Sequence, residues 1–121
     1  GAEKLVLVSD AAALGGLPPG VYGGTHEVLP GGKIALAGTP YLAGAGHLLD
    51  VCVANALRWT ELGMAGIAQS VATNPAELLD LKNTGSVKAS NLADLTLFRE
   101  TQDGPLEIVA TILEGKVLFQ A

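Results

Sequence analysis

Leu5-Val6-Leu7-Val8 is an unbroken apolar run that stops at Ser9-Asp10, and it constrains this chain more than any other segment. A strand apolar at every position has to be covered on both faces, the condition of a strand inside a parallel sheet or a barrel. One such strand cannot pair with itself, so Leu5–Val8 needs an edge offered by another segment or another chain. Only Ala2, Glu3 and Lys4 separate it from Gly1, which is not an initiator Met. Tag removal or Met processing accounts for such a start, and so does excision from something longer.

Beyond Asp10 the run Ala11 to Gly20 is irregular after Leu14, because Gly15-Gly16 and Pro18-Pro19-Gly20 cannot continue a regular element. Short strands around Tyr22 to Leu29 and Lys33 to Leu36 flank Pro30-Gly31-Gly32, a hairpin signal. A Gly-rich loop, Gly38 to Gly46, leads to the clearest helix, in which Leu48, Leu49, Cys52, Val53, Ala56 and Leu57 form one apolar stripe. Gly63 is placed to end that helix. A second helix is expected from about Ala65 to Thr73, and Asn74-Pro75 reads as an N-cap and first-turn proline opening a third through Leu79. After Lys82 the period changes to two. Ala93–Phe98, Leu106–Leu113 and Lys116–Gln120 are strands, with turns at Thr101-Gln102-Asp103-Gly104 and Glu114-Gly115.

A chain of 121 residues with 49% apolar content forms one modest core and is not disordered. Its net charge of −5 and lack of a basic stripe argue against a nucleic-acid partner. A single cysteine, Cys52, rules out an internal disulfide framework or a Cys-rich zinc site and fits a reducing cytoplasm. No secretory signal is visible, since Leu5–Val8 is too short for an apolar h-region. The uncharged stretch Ile34–Leu49 is broken by Pro40 and glycines and cannot span a bilayer, so no membrane partner is expected.

The chemistry-bearing residues are few. Asp10 closes an apolar strand where a Gly-rich loop begins, the end at which functional groups gather in parallel α/β folds. A carboxylate there can serve as general base or metal ligand, or simply as a turn residue. His26 is expected on the solvent face of the hairpin. His47, at the mouth of the main helix, could reach a ligand there, or could cap or pack. The two are far apart in sequence and belong to no metal-binding spacing. The loop Tyr41–Gly46 could present backbone N–H groups to an anion or carbonyl, or serve as a plain lead into the helix. Cys52 reads as core, and Ser9 has no nearby histidine to activate it.

In order along the chain, six segments resemble the C-terminal third of the N-acetylglucosamine-6-phosphate deacetylase family of the amidohydrolase superfamily. Leu7-Val8-Ser9-Asp10-Ala11 is similar to the end of the eighth barrel strand with its catalytic Asp. Gly16-Leu17-Pro18-Pro19-Gly20-Val21-Tyr22 resembles the "GLPDGxY" segment, and Tyr41-Leu42-Ala43-Gly44 the "LAGS" loop. Ala72-Thr73-Asn74-Pro75-Ala76 resembles a helical "A-x-x-N/T-P-A". Gly85-Ser86-Val87 with Ala93-Asp94-Leu95, and then Ile112 to Val117, resemble strands and the closing hairpin of a small β domain.

The resemblance implies an α+β chain, the C-terminal part of an amidohydrolase. Residues 1–81 would complete a (β/α)8 barrel with its last strand, an inserted hairpin and two to three helices. Residues 82–121 would give strands of a small β-sandwich built from both chain ends. It implies hydrolysis of an N-acetyl amino sugar, N-acetylglucosamine 6-phosphate or similar, by a metal-activated water, with Asp10 as general base. Leu42, Ala43, Gly44 and His47 would shape the substrate pocket. The family's divalent metal, zinc or similar, is held by a Glu and two His on earlier strands, which this chain does not include. The expectation is therefore that the isolated chain binds no metal and is inactive. The family serine of the loop is Ala45 here, followed by Gly46, His47 and Leu48, so the acyl or sugar specificity could differ. Ala89-Ser90 replaces a usual Pro-Gly. Burial of open edges makes a homo-oligomer the expected state, and the alternative reading is a non-catalytic α+β module that oligomerises.

Overall fold

A computed structural model describes the whole chain, residues 1–121. The architecture is α+β, with one antiparallel sheet before a helical segment and another after it. The first sheet contains β1 (Gly20–Tyr22), β2 (His26–Val28), β3 (Ile34–Leu36) and β4 (Leu42–Gly44), paired in sequence order. Its turns fall where glycine can take positive φ, at Gly23 (59°) and Gly24 (71°) and again at Gly31 (87°) and Gly32 (84°). The expected Tyr22–Leu29 strand is therefore two strands split by Gly23-Gly24. The expected loop Gly38–Gly46 holds a strand, since Leu42–Gly44 pairs with the free edge of β3. This sheet has its own small core of Val28, Ile34 and Ala35.

Helix α1 runs Leu49–Trp59. It ends because Thr60 turns extended, with φ −128° and ψ 160°. The Thr60 hydroxyl also donates to the Ala56 carbonyl at 2.7 Å. Gly63, with φ 62°, opens α2 (Gly63–Ala68) instead of closing α1. The first turn of the expected stripe stays open: Leu48 and Leu49 are exposed and Cys52 is half-buried, while Val53 and Ala54 carry the burial.

The next two expected helices are one continuous run. After α2 the ladder widens into a π turn, Gln69–Thr73, directly ahead of Pro75, which has no N–H to donate back into it. It continues as α3 (Asn74–Leu78). Asn74 is not an N-cap, because its backbone is helical (φ −63°, ψ −44°) and its side chain reaches elsewhere. The second sheet, β5 (Leu95–Arg99), β6 (Glu107–Leu113) and β7 (Lys116–Gln120), matches the period-two segments closely. The main core lies between α1, α2 and this sheet: Val53, Ala54, Ile67 and Leu106 are buried, with Leu7, Leu57, Phe98 and Ile108 packed against them.

The opening apolar run departs most from expectation. A 3-10 turn, Ala2–Lys4, precedes it, and Leu5–Val8 joins no strand ladder. Leu7 donates its N–H to the Ser70 carbonyl at 3.0 Å and packs on the core, whereas Leu5 and Val8 are exposed. The physical reason is the one its composition sets. A strand apolar on both faces needs neighbours on both sides, and this chain offers only a helix on one of them.

Candidate functional site

Asp10 is an exposed residue in the left-handed region, with φ 48°. The other non-glycine residues with positive φ, Asp80, Asn83, Ser90 and Glu114, lie in turns and loops after α3 or between strands. Asp10 instead sits between the unpaired run Leu5–Val8 and a parallel bridge that joins Ala11 to Ala45. A non-glycine residue held at such φ costs on the order of 1 kcal/mol or more and persists only where its surroundings enforce it. The enforcing contacts are visible on its C-terminal side. The Ser9 hydroxyl accepts the Ala11 N–H at 3.3 Å, Ala12 N–H donates to Ala45 C=O at 2.8 Å, and Gly16 N–H donates to Gly46 C=O at 3.1 Å.

These bonds stitch the segment after Asp10 onto the segment after β4, and the glycines make the stitch possible. A Cβ on Gly44 would stand 2.8 Å from the Ala12 Cβ, and one on Gly46 would overlap the Gly32 carbonyl. The His47 ring lies over Gly32, where an added Cβ would be 3.1 Å from Cε1 and 3.3 Å from Nδ1. A shallow cleft of about 280 Å³ opens there, lined by Gly16, Leu17, Gly32, His47, Leu48 and Asp50 among others.

The sequence-predicted residues are thus divided. Gly44 abuts Ala12, two positions beyond Asp10, and His47 borders the cleft. Leu42 is exposed and Ala43 half-buried, and neither of them nor Asp10 lines that cleft. His26, expected to face solvent, is half-buried and shares a 2.9 Å hydrogen bond with the Thr25 hydroxyl. Sequence reasoning passed over Asp50 in the cleft wall and Gly32 beneath His47. An acid in the first turn of a helix beside a histidine was the available signal for the former. No three His, Cys, Asp or Glu side chains converge on one point, so the donors of this chain do not by themselves fit a metal ion. No helix is long and apolar enough to cross a membrane.

A larger groove of about 850 Å³ runs between the α2–α3 segment and β5, walled by Ala72, Leu79, Leu81, Val87, Leu92 and Leu95 among others. Asp94 is the only charged residue in its wall. It is an apolar surface, separate from Asp10 and His47.

No family model matches the chain. It is 29% identical to the N-acetylglucosamine-6-phosphate deacetylase of Bacillus subtilis, over 98% of this chain and 30% of the relative. It superposes on the crystal structure of N-acetyl-D-glucosamine-6-phosphate deacetylase from Mycobacterium smegmatis with a TM-score of 0.81 at 26% identity, covering 98% of this chain and 32% of that one. The Thermotoga maritima N-acetylglucosamine-6-phosphate deacetylase gives a TM-score of 0.79 at 29% identity, covering 99% and 32%. The chain spans about 30% of the length of the curated relative it matches. In sequence and fold it is similar, from end to end, to one portion of the N-acetylglucosamine-6-phosphate deacetylases, the C-terminal portion by the order of its motifs.

Proposed function

We propose that this chain is the part of an amidohydrolase that contributes the general base and one pocket wall for deacetylation of N-acetylglucosamine 6-phosphate or a close N-acetyl amino sugar. The observation that carries it is Asp10. An exposed carboxylate sits on backbone at φ 48° between the opening apolar segment and the Ala11–Ala45 bridge, and such backbone outliers cluster at functional sites. In this reading residues 1–81 close a barrel and residues 82–121 belong to the small β domain. Leu42 to Gly44 and His47 border the acyl or sugar moiety.

The Asp10 carboxylate accepts a proton from the attacking water and returns it to the amine as the C–N bond breaks. A divalent metal of the complete enzyme would supply the acidified water. The donors for it do not converge within this chain. Isolated, the chain is expected to be inactive.

The test is a chimaera in which these 121 residues replace the matching segment of the Bacillus subtilis deacetylase. Deacetylation of N-acetylglucosamine 6-phosphate by the chimaera should fall about 10²–10⁴-fold on the substitution Asp10→Asn. A folded Asp10→Asn chimaera as active as its parent, or substrate hydrolysis by the isolated chain, overturns the reading.

A further inference from the structure

The π turn at Gln69–Thr73 releases one carbonyl from the helix, and the opening segment of the chain takes it up. In a regular α-helix the Ser70 carbonyl would accept the N–H of Asn74. Here the Asn74 N–H reaches one residue further back, to the Gln69 carbonyl. The next donor along the chain would be Pro75, which has no N–H. Neither the α nor the π register therefore gives Ser70 a helical partner. Its carbonyl accepts the Leu7 N–H at 3.0 Å instead, and the residue is wholly buried.

Asn74 completes the arrangement from the same turn. Its backbone N–H closes the π turn, while its side chain donates to the Ala2 carbonyl at 2.7 Å and to the Leu5 carbonyl at 2.6 Å. A carboxamide carries two N–H donors, and both are spent on the opening segment. Turned over, it would set its oxygen against two carbonyl oxygens, so its orientation is fixed by what it binds.

All three bonds hold backbone groups of Ala2, Leu5 and Leu7, so they direct the course of the segment itself. Leu7 precedes Asp10 by three residues. Beyond Asp10 the chain is anchored separately, by the Ala12 N–H on the Ala45 carbonyl at 2.8 Å. Asp10 thus lies between two anchors, and a shift of the first moves its carboxylate relative to the second. Single π turns inside helices are rare and occur frequently at functional sites.

We propose that Asn74, together with the Ser70 carbonyl freed by the π turn, positions Asp10. It sets the course of Leu5–Val8 and, through it, the placement of the carboxylate. This rests on the functional reading above.

The test uses the chimaera with the Bacillus subtilis deacetylase, on variants whose circular dichroism matches the parent. Asn74→Ala should lower kcat for N-acetylglucosamine 6-phosphate about 10–100-fold and leave KM within about 2-fold, the signature of a misplaced reacting group. In the Asp10→Asn background the same substitution should lower kcat no further, because no base is left to position. Asn74→Thr keeps one donor and should fall between Ala and native, which also carries the comparison if the Ala chimaera does not fold. A second readout needs no catalysis. In the isolated chain, Asn74→Ala should speed exchange of the Leu7 amide at least about 10-fold more than that of the Ala12 amide. A folded Asn74→Ala chimaera with native kcat, a change confined to KM, multiplicative losses in the double variant, or equal exchange at Leu7 and Ala12 overturns the positioning role and leaves the functional reading standing. An Asp10→Asn chimaera as active as its parent overturns the functional reading, and the positioning role falls with it.

Discussion

The Asn74 side chain donates to the Leu5 carbonyl at 2.6 Å and to the Ala2 carbonyl at 2.7 Å, tying the opening of the chain to the start of α3 across about seventy residues. Both donors of one carboxamide are used, and the residue itself is 6% exposed. The tie is therefore a buried polar contact, and its loss strands acceptors as well as removing bonds. Its carboxamide oxygen has no partner.

Asn74→Ala should lower the stability of the isolated chain by about 2–3 kcal/mol, from two lost hydrogen bonds at a largely buried site. Asn74→Asp should cost more at neutral pH, although it is closer in shape, because it places a carboxylate against two carbonyl oxygens. Urea unfolding followed by circular dichroism checks the order: native, then Ala, then Asp. The reverse order of the two variants would mean that shape, not donation, matters here.

Gly85 and Gly115 share φ 79°, yet their surroundings differ completely. A Cβ on Gly85 would lie 2.6 Å from the Ala76 Cβ and 2.9 Å from the Ala72 carbonyl, whereas nothing lies within 4 Å of one on Gly115. Gly115→Ala should thus report backbone strain alone, about 1–2 kcal/mol. Gly85→Ala should cost a further 1–3 kcal/mol or so through the clash. It should also loosen the 2.7 Å bond from the Thr73 hydroxyl to the Gly85 carbonyl. Paired thermal melts of the two variants separate the contributions.

Ile67 is fully buried at the centre of the main core. Its truncation to Ala removes packing against α1 and the second sheet and should cost about 2–5 kcal/mol. Leu79→Ala, on the open groove, should stay within about 0.5 kcal/mol in the isolated chain. That contrast, read by urea midpoints, distinguishes the core from the open apolar groove.

Elements governed by local chemistry were legible in the sequence. The three strands of the second sheet follow from period-two patterning, and the Gly31-Gly32 and Glu114-Gly115 turns from their need for positive φ. Features set by distant partners were not. Leu42–Gly44 becomes a strand because β3 presents an edge to it, and Asn74 faces the first residues of the chain instead of capping its own helix. Leu5–Val8 has the composition of a doubly covered strand but stays unpaired, because the neighbours that composition demands are not in this chain. For the site, the position of Asp10 at the end of that run was readable, whereas its left-handed backbone was not. The Ala12–Ala45 and Gly16–Gly46 bonds that follow it join segments distant in sequence, which no local pattern reveals.

Substitutions at Asp10 separate its backbone role from its chemical one. Asparagine tolerates the left-handed region as readily as aspartate, so Asp10→Asn should hold the stability of the isolated chain within about 0.5 kcal/mol. Valine is β-branched and strongly disfavoured at φ 48°. Asp10→Val should therefore cost about 1–3 kcal/mol. Should the valine variant melt like the native chain, the surroundings do not enforce φ at position 10, and the case for a pre-organised carboxylate there collapses. Should the asparagine variant be destabilised as much as the valine one, the charge and not the backbone holds the segment in place. The expected outcome, a silent Asp10→Asn and a costly Asp10→Val, leaves Asp10 as a residue whose geometry is fixed by its neighbours and whose carboxylate is free for chemistry.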